Sequence, residues 1–240
     1  MAYELSILYY TLQEMCERNE LDYVCGRVYE LLSENHLQAI KNSFMNNTKI
    51  AANGIVYLRI KGLANILRTG AANYFVYQGI DGIMGGAEII SIDGEEYISG
   101  PALAGLLDYR ISTTIGKTKK YLIYSREIYE IIRELNNVNM VREIFLRDIE
   151  DKRKELKKAR IKTYNISACE FSGTSFKKKS EVQFAHIESV ITKPHLAVDI
   201  NNGVIILNAI HAELTKMQIH DYRGMFEYCQ KNGYSTDWAK

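Results

Sequence analysis

The stretch CEFSGTSFKKKSEVQFAHIESVITKPHLAVDINNGVIILNAIH, from Cys169 to His211, carries polar residues in a pattern that hydrophobic periodicity does not explain. Val182-Gln183-Phe184 alternates with a period of two and predicts a strand that ends near His186. An irregular segment follows and ends in Asn202-Gly203. An apolar run from Val204 to Leu207 then predicts a second strand.

A segment of helix-forming composition begins near Asn208 and completes the pattern. Asn208 is predicted to be the N-cap, because an Asn side chain can accept a hydrogen bond from the first turn of a helix. His211 then lies in that first turn, with its imidazole directed toward the loop. The predicted order is strand, long loop, strand and helix, with His186 at the end of the first strand and His211 at the start of the helix.

This arrangement is suited to metal-assisted hydrolysis. A neutral imidazole can hold a divalent metal, and a second imidazole can take a proton from water. An Asn can fix the loop between them or offer its amide oxygen to the metal. Sixteen positions separate His186 from Asn202, and nine separate Asn202 from His211. The competing interpretation is a pair of structural histidines with satisfied hydrogen bonds.

These residues resemble the motif of the HNH, or ββα-metal, nuclease family. The branch they resemble most closely has a Cys, a Ser/Thr-Gly turn, Ala-His-Ile, Asn-Gly, Leu and His. In this chain those positions are Cys169, Ser172-Gly173, Ala185-His186-Ile187, Asn202-Gly203, Leu207 and His211. The resemblance covers about the last third of the chain. It implies a general base at His186, a loop-fixing or metal-adjacent Asn202, and a metal ligand at His211. It also implies a divalent metal cofactor, with Mg²⁺ expected and Mn²⁺ as the alternative, and no structural zinc.

The chain departs from the family at Ala185. Many family members carry a His or Asp there as a metal ligand. The branch with Ala-His-Ile indicates that Ala185 is natural, although an engineered inactive variant would carry the same residue. Asp199, Asn202 and His195 are the candidates for the missing ligand. Asp199 is our choice for the metal, and His195 is assigned to phosphate or metal contact, with an ordinary surface His as its alternative.

Basic residues are concentrated immediately before and within this motif. Between Val141 and Ser180 there are twelve Lys and Arg residues against six Asp and Glu residues. Contacts from such residues to phosphates would give a salt-sensitive affinity for DNA that does not depend on sequence. A solvated charged helix is the simpler alternative. The predicted DNA-binding residues are Lys157, Lys158, Arg160, Lys177, Lys178, Lys179 and His195.

Composition limits the class of protein. A chain of 240 residues can form one large or two small domains, and 47% hydrophobic with 25% charged residues indicates a folded protein. The four cysteines are scattered, which fits a reducing compartment. We find neither a secretory signal nor an apolar run of membrane-spanning length, so the cytoplasm is the expected location and no membrane partner is expected. His220, beyond the last helix of the motif, has no partner spacing and is expected to be structural.

The N-terminal part predicts a mixed domain. Residues 3–46 carry apolar groups at helical spacing and predict two or three helices. Glu88 to Ile98 predicts a hairpin about Asp93-Gly94, and Ser99-Gly100-Pro101 predicts a helix start. Tyr121 to Tyr124 is interpreted as a strand that follows a strip of lysines. This set is compatible with a winged-helix or similar DNA-reading module, although an ordinary α+β domain is favoured.

The sequence therefore predicts an α+β protein in three parts. Residues 1–140 form a mixed helical and β domain that is a possible DNA-specificity module, residues 141–163 form a charged linker helix, and residues 164–240 form an HNH domain. The expected function is metal-dependent DNA cleavage by a restriction-type endonuclease. Such an enzyme would bind double-stranded DNA as a homodimer, since two strands need two active sites. A non-catalytic DNA-binding regulator and a ligand-activated nuclease effector are the alternatives.

Overall fold

A computed structural model of the chain describes residues 8–16, 21, 31–190, 193 and 196–239. Contacts divide the chain into an N-terminal unit, which ends at Phe145, and a C-terminal unit, which begins at Leu146. Both units combine helices with short strands, so the fold class is α+β. Within the described part, the helices include none whose length and apolar character would let it span a membrane.

An antiparallel sheet organises the N-terminal unit. Its strands are β1 (Tyr9–Thr11), β2 (Thr48–Ala51), β3 (Val56–Arg59), β4 (Ile89–Ile92) and β5 (Glu95–Ser99), and they lie in the order β1-β2-β3-β5-β4. The helices are α1 (Leu12–Met15), α2 (Glu34–Asn47), α3 (Leu63–Ile66), α4 (Ala72–Gln78), α5 (Gly100–Thr113) and α6 (Gly116–Glu134), with a 3-10 turn at Ile60–Gly62. A helix α7 (Asn136–Tyr164) starts in this unit and ends in the C-terminal unit.

Two local predictions in this unit are confirmed. Asp93 and Gly94 both have positive φ, 53° and 77°, and join β4 to β5 in a hairpin. A two-residue turn with two positive φ angles matches the right-handed twist of its strands. Ser99 caps α5 by accepting a hydrogen bond from Ala102 N, and Pro101 stands in the first turn.

The prediction of a strand at Tyr121 to Tyr124 is wrong. These residues lie inside α6, a helix of 19 residues. A short apolar run does not distinguish a strand from a buried helix, and here the run continues the helical spacing that reaches Ile132. The preceding lysines therefore occupy the start of a helix, so this segment does not supply the strand that the winged-helix interpretation required.

The prediction of helix from the start of the chain is also wrong at Tyr9–Thr11. This segment pairs with β2 as an edge strand, with Tyr10 opposite Ile50. The ring of Tyr9 packs edge-to-face on Tyr57 at 5.9 Å between centroids. Pairing with a strand some forty residues away overrides the helical spacing of the apolar residues. The helix predicted before Ser33 falls largely outside the described residues, since only residues 21 and 31–33 of that part are described.

The C-terminal unit contains the predicted order of strand, loop, strand and helix. Its elements are β6 (Val182–His186), β7 (Gly203–Leu207), α8 (Asn208–Lys216) and α9 (Tyr222–Lys231), with 3-10 turns at Lys179–Glu181 and Asp237–Ala239. The two strands pair antiparallel, with Val182 opposite Leu207 and His186 opposite Gly203. A core packs between these elements and the turn after α7, and it comprises Cys169, Phe171, Ala185, Ile187, Val204, Ile206, Ile210, Leu214, Met225, Tyr228 and Cys229.

The N-cap assignment at Asn208 is wrong by one residue. Leu207 is the N-cap, and Asn208 is the first residue of α8. The Asn208 amide instead donates to Ser180 O at 2.8 Å. Its side chain therefore ties the start of α8 to the segment before β6. His211 still lies in the first part of the helix.

A buried ion pair fastens the end of α7 to the sheet of the C-terminal unit. Arg160 donates through Nε and Nη2 to both carboxylate oxygens of Glu170, at 2.9 and 2.7 Å. Its Nη1 donates to Ile200 O at 2.7 Å, and Glu170 also accepts the backbone N–H of Ile205. The guanidinium stacks over the ring of Tyr164, 4.9 Å from the centroid. These contacts hold the turn after α7, the loop before β7 and β7 itself in fixed positions relative to one another.

Candidate functional site

His186 is the last residue of β6, directly across from Gly203. A Cβ at position 203 would lie 2.1 Å from Cζ of Phe184, so only glycine lets that ring lie against the backbone of β7. The Phe184 ring in turn meets the His186 imidazole edge-to-face, with centroids 5.0 Å apart. The Asn-Gly dipeptide of the motif thus contributes to the orientation of the histidine through Phe184.

The hydrogen bond of His186 defines the role that each ring nitrogen can take. Nε2 lies 3.1 Å from the backbone oxygen of Ala197. A carbonyl oxygen only accepts, so Nε2 carries the proton and Nδ1 of the neutral ring is the acceptor. Burial lowers the pKa of His186, the hydrogen bond to Ala197 opposes that effect, and the charge of Arg153 lowers the pKa further. The neutral ring with a basic Nδ1 is therefore the favoured form.

Asn202 holds together the loop between the two strands. It is 6% exposed, and its Oδ1 accepts the backbone N–H of Glu188 at 2.9 Å. Its Nδ2 donates to the backbone oxygens of Glu188 and Leu196, at 3.1 and 3.3 Å. The amide is thus bonded through both its oxygen and its nitrogen to the loop that carries Ala197. Asn202 fixes the carbonyl that orients His186.

His186 shares a pocket of about 190 Å³ with two further histidines, His211 and His220. The lining residues are Ala185, His186, Ser189, Val190, His211, Leu214, Thr215, Ile219, His220 and Met225. Burial lowers the pKa of His211, and the charge of His220 lowers it further. The neutral form of His211, which is the form that can bind a metal, is therefore favoured.

Among the described residues, the pocket is lined by three histidines and by no carboxylate. Asp199 is not among its lining residues, and the Asp199 carboxylate accepts the backbone N–H of Asn201 at 2.8 Å. Across residues 8–16, 21, 31–190, 193 and 196–239, no three His, Cys, Asp or Glu side chains are grouped so that they could hold a metal ion alone. A divalent cation would fit only with water and phosphate oxygens completing its coordination, as catalytic divalent ions commonly have.

The predicted DNA-binding residues differ in their exposure and in the partners that their side chains already have. Lys177, Lys178 and Lys179 are exposed. Lys158 is exposed and pairs with Glu155 at 2.9 Å, whereas the Lys157 ammonium is held by the backbone oxygens of Lys179 and Val182. His195 lies outside the described residues.

The burial of Arg160 argues against its assignment to DNA binding. Its side chain is 8% exposed, and its guanidinium is already bonded to Glu170 and to Ile200 O. A guanidinium in this position cannot reach a phosphate without breaking the pair. The count of basic residues does not reveal which cations have an internal partner, because that partner comes from elsewhere in the fold.

Arg153 is a cation that the sequence did not single out. The lysines around it on α7 pair with carboxylates: Lys152 with Asp148 at 2.7 Å and Lys154 with Asp151 at 2.8 Å. For Arg153 the described residues provide no such partner, and its charge is near enough to His186 to lower the pKa of that ring. No sequence signal distinguishes it from the cations beside it.

Comparison with protein-family models, with curated protein sequences and with solved structures finds no match for this chain.

Proposed function

We propose that this chain is a metal-dependent DNA endonuclease of the HNH type that hydrolyses phosphodiester bonds. The observation that carries the proposal is the state of His186. Its Nε2 is bonded to Ala197 O, and His186 lines a pocket that His211 also lines. A neutral imidazole with a basic nitrogen beside a second imidazole is what a base-assisted, metal-assisted hydrolysis needs. The motif resemblance and the order β6, β7, α8 add support.

The chemistry assigned to His186 is removal of a proton from water. Nδ1 accepts the proton as the water oxygen attacks the phosphorus, and the bond from phosphorus to the leaving oxygen breaks. The contact from Nε2–H to Ala197 O stabilises the imidazolium that forms. A divalent cation bound at His211 would supply positive charge beside the phosphate and the leaving oxygen. Asn202 keeps the Ala197 carbonyl in place through its bonds to the loop.

The remaining parts of the proposal concern the substrate and the assembly. Lys177, Lys178 and Lys179 are exposed immediately before β6 and are assigned to the DNA backbone. Cutting both strands of a duplex requires two such sites, which a homodimer provides. The N-terminal unit is then the candidate for selecting the DNA sequence.

The proposal is tested by incubating the full chain with a panel of plasmid and phage DNA in Mg²⁺ or Mn²⁺. Discrete fragments would establish a sequence-specific endonuclease, and their ends would give the recognition site. DNA binding without cleavage in either metal would contradict the enzyme and favour the non-catalytic regulator. Cleavage that requires an added small molecule would favour the ligand-activated effector.

The pH dependence of cleavage follows from the pKa of His186. Its lowered pKa keeps the base neutral as pH falls through the ordinary histidine value of about 6.5. We therefore expect the acidic limb of the kcat/KM profile to have its midpoint below that value. Rates measured between about pH 5 and 9 locate the midpoint. A limb centred at or above the ordinary value would argue against His186 as the base.

Replacing Arg153 with Gln is expected to weaken DNA binding and to lower the slope of log K against log salt by about 1. The reason is that Arg153 has no carboxylate partner among the described residues and lies near the candidate base. Lys154→Gln is the matched control, because Lys154 is adjacent and already paired with Asp151. Fluorescence anisotropy of labelled duplex DNA at several salt concentrations measures both slopes. Equal slopes for the two variants would contradict a phosphate contact by Arg153.

A further inference from the structure

This inference rests on the proposed nuclease function. In the proposed site, one of the expected metal ligands has not been assigned to a residue. Ala185, at the position where many HNH nucleases carry that ligand, is an apolar residue that is 3% exposed in the core. Asp199 does not line the pocket. The pocket is nevertheless lined by a histidine that the motif does not include, His220.

A turn directly after α8 places His220 in the same pocket as His211. Gln218 adopts φ of 56°, and Ile219 N donates to Leu214 O at 3.0 Å, which closes the helix with a left-handed turn. Gln218 N donates to Thr215 O at 3.1 Å in the same turn. The chain therefore reverses direction immediately after α8.

Two more hydrogen bonds fix the position of His220 after the reversal. Its backbone oxygen accepts the N–H of Ser189 at 3.0 Å, from the loop that follows His186. The next residue, Asp221, caps α9 through Gly224 N at 2.8 Å. The backbone is thus held on both sides, and His220 lines the same pocket as His211. The charge of His220 acts on His211, as expected of neighbouring rings.

We propose that His211 and His220 together form a two-imidazole site for a divalent transition-metal ion. His220 then supplies the ligand that Ala185 cannot. His186 is left as the base, since its Nε2 is bonded to Ala197 O. Imidazole nitrogens suit Co²⁺, Ni²⁺ and Zn²⁺ better than Mg²⁺, which prefers oxygen ligands. The site should therefore select a transition metal over Mg²⁺.

The test is a calorimetric titration of the full chain with Co²⁺ alone, without DNA. We expect Co²⁺ to bind the wild-type chain, and His211→Ala and His220→Ala each to weaken the affinity by at least about tenfold. The visible absorption of bound Co²⁺ should change in both variants, because the set of coordinating nitrogens changes. Excess Mg²⁺ should not displace Co²⁺ from the wild-type chain.

Two controls separate ligation from folding. His36→Ala removes a histidine of the N-terminal unit whose ring contacts the Tyr121 hydroxyl, and it should leave Co²⁺ affinity unchanged. His186→Ala should also leave it unchanged while removing cleavage. Wild-type Co²⁺ affinity in His220→Ala would overturn the inference, as would a wild-type chain that binds no Co²⁺. Co²⁺ binding that depends on both histidines in a chain that never cuts DNA would support the metal site and contradict the nuclease.

Discussion

A His186→Ala variant is expected to lose DNA cleavage by a factor of about 10² to 10⁴, while its fold and its affinity for DNA are retained. The factor is that of a general base in proton transfer. His186 stands at the end of β6, where its side chain is partly exposed to the pocket, so truncation removes little from the core. Nicking of supercoiled plasmid in Mn²⁺ measures the rate, and circular dichroism checks the fold.

Rescue by a small base distinguishes a general base from a positioning or structural role for His186, because only a missing base can be replaced by free imidazole. Exogenous imidazole should restore part of the activity of His186→Ala, because a small base can occupy the vacated space beside the Ala197 carbonyl. His36→Ala is the matched histidine control and should cleave at the wild-type rate. A His186→Ala variant that cuts DNA as fast as wild type would exclude His186 as the base.

An Arg160→Ala variant is expected to lower the free energy of unfolding of the C-terminal unit by about 3–5 kcal/mol. The substitution leaves the carboxylate of Glu170, which is 18% exposed, without the guanidinium that neutralises it. It also removes the donor to Ile200 O, at the end of the loop that orients His186. Burying a charge without its partner is costly because water is excluded and no other cation replaces it.

Urea unfolding followed by tryptophan fluorescence measures the free energy of unfolding of the C-terminal unit. Trp238 is the only tryptophan in the sequence, and its ring packs on Phe171 in the C-terminal core at 5.5 Å between centroids. Lys158→Ala breaks the exposed pair with Glu155 and should change the free energy by about 0–1 kcal/mol. If Arg160→Ala instead unfolded like wild type and bound DNA more weakly, the original assignment of Arg160 to DNA would be right.

The local pattern of the sequence determined the elements of the C-terminal unit. Alternation over Val182 to Phe184 indicated β6, and the apolar run after Asn202-Gly203 indicated β7. Asp221 is of a residue type that favours N-caps, and it is the N-cap of α9. These predictions succeeded because periodicity, turn residues and caps act between residues close together in the chain.

Only the tertiary structure decided which side chains lie together. Arg160 has the same local composition around it as Lys158, yet one is buried against Glu170 and the other pairs on the surface. His220 lacks a motif partner in the sequence, and it reaches the pocket because Gln218 reverses the chain. Burial and charge pairing depend on distances between residues that are remote in sequence. Residue types and spacing supplied the candidate base and its loop-fixing Asn, whereas packing buried Arg160 against Glu170 and brought His220 to the pocket.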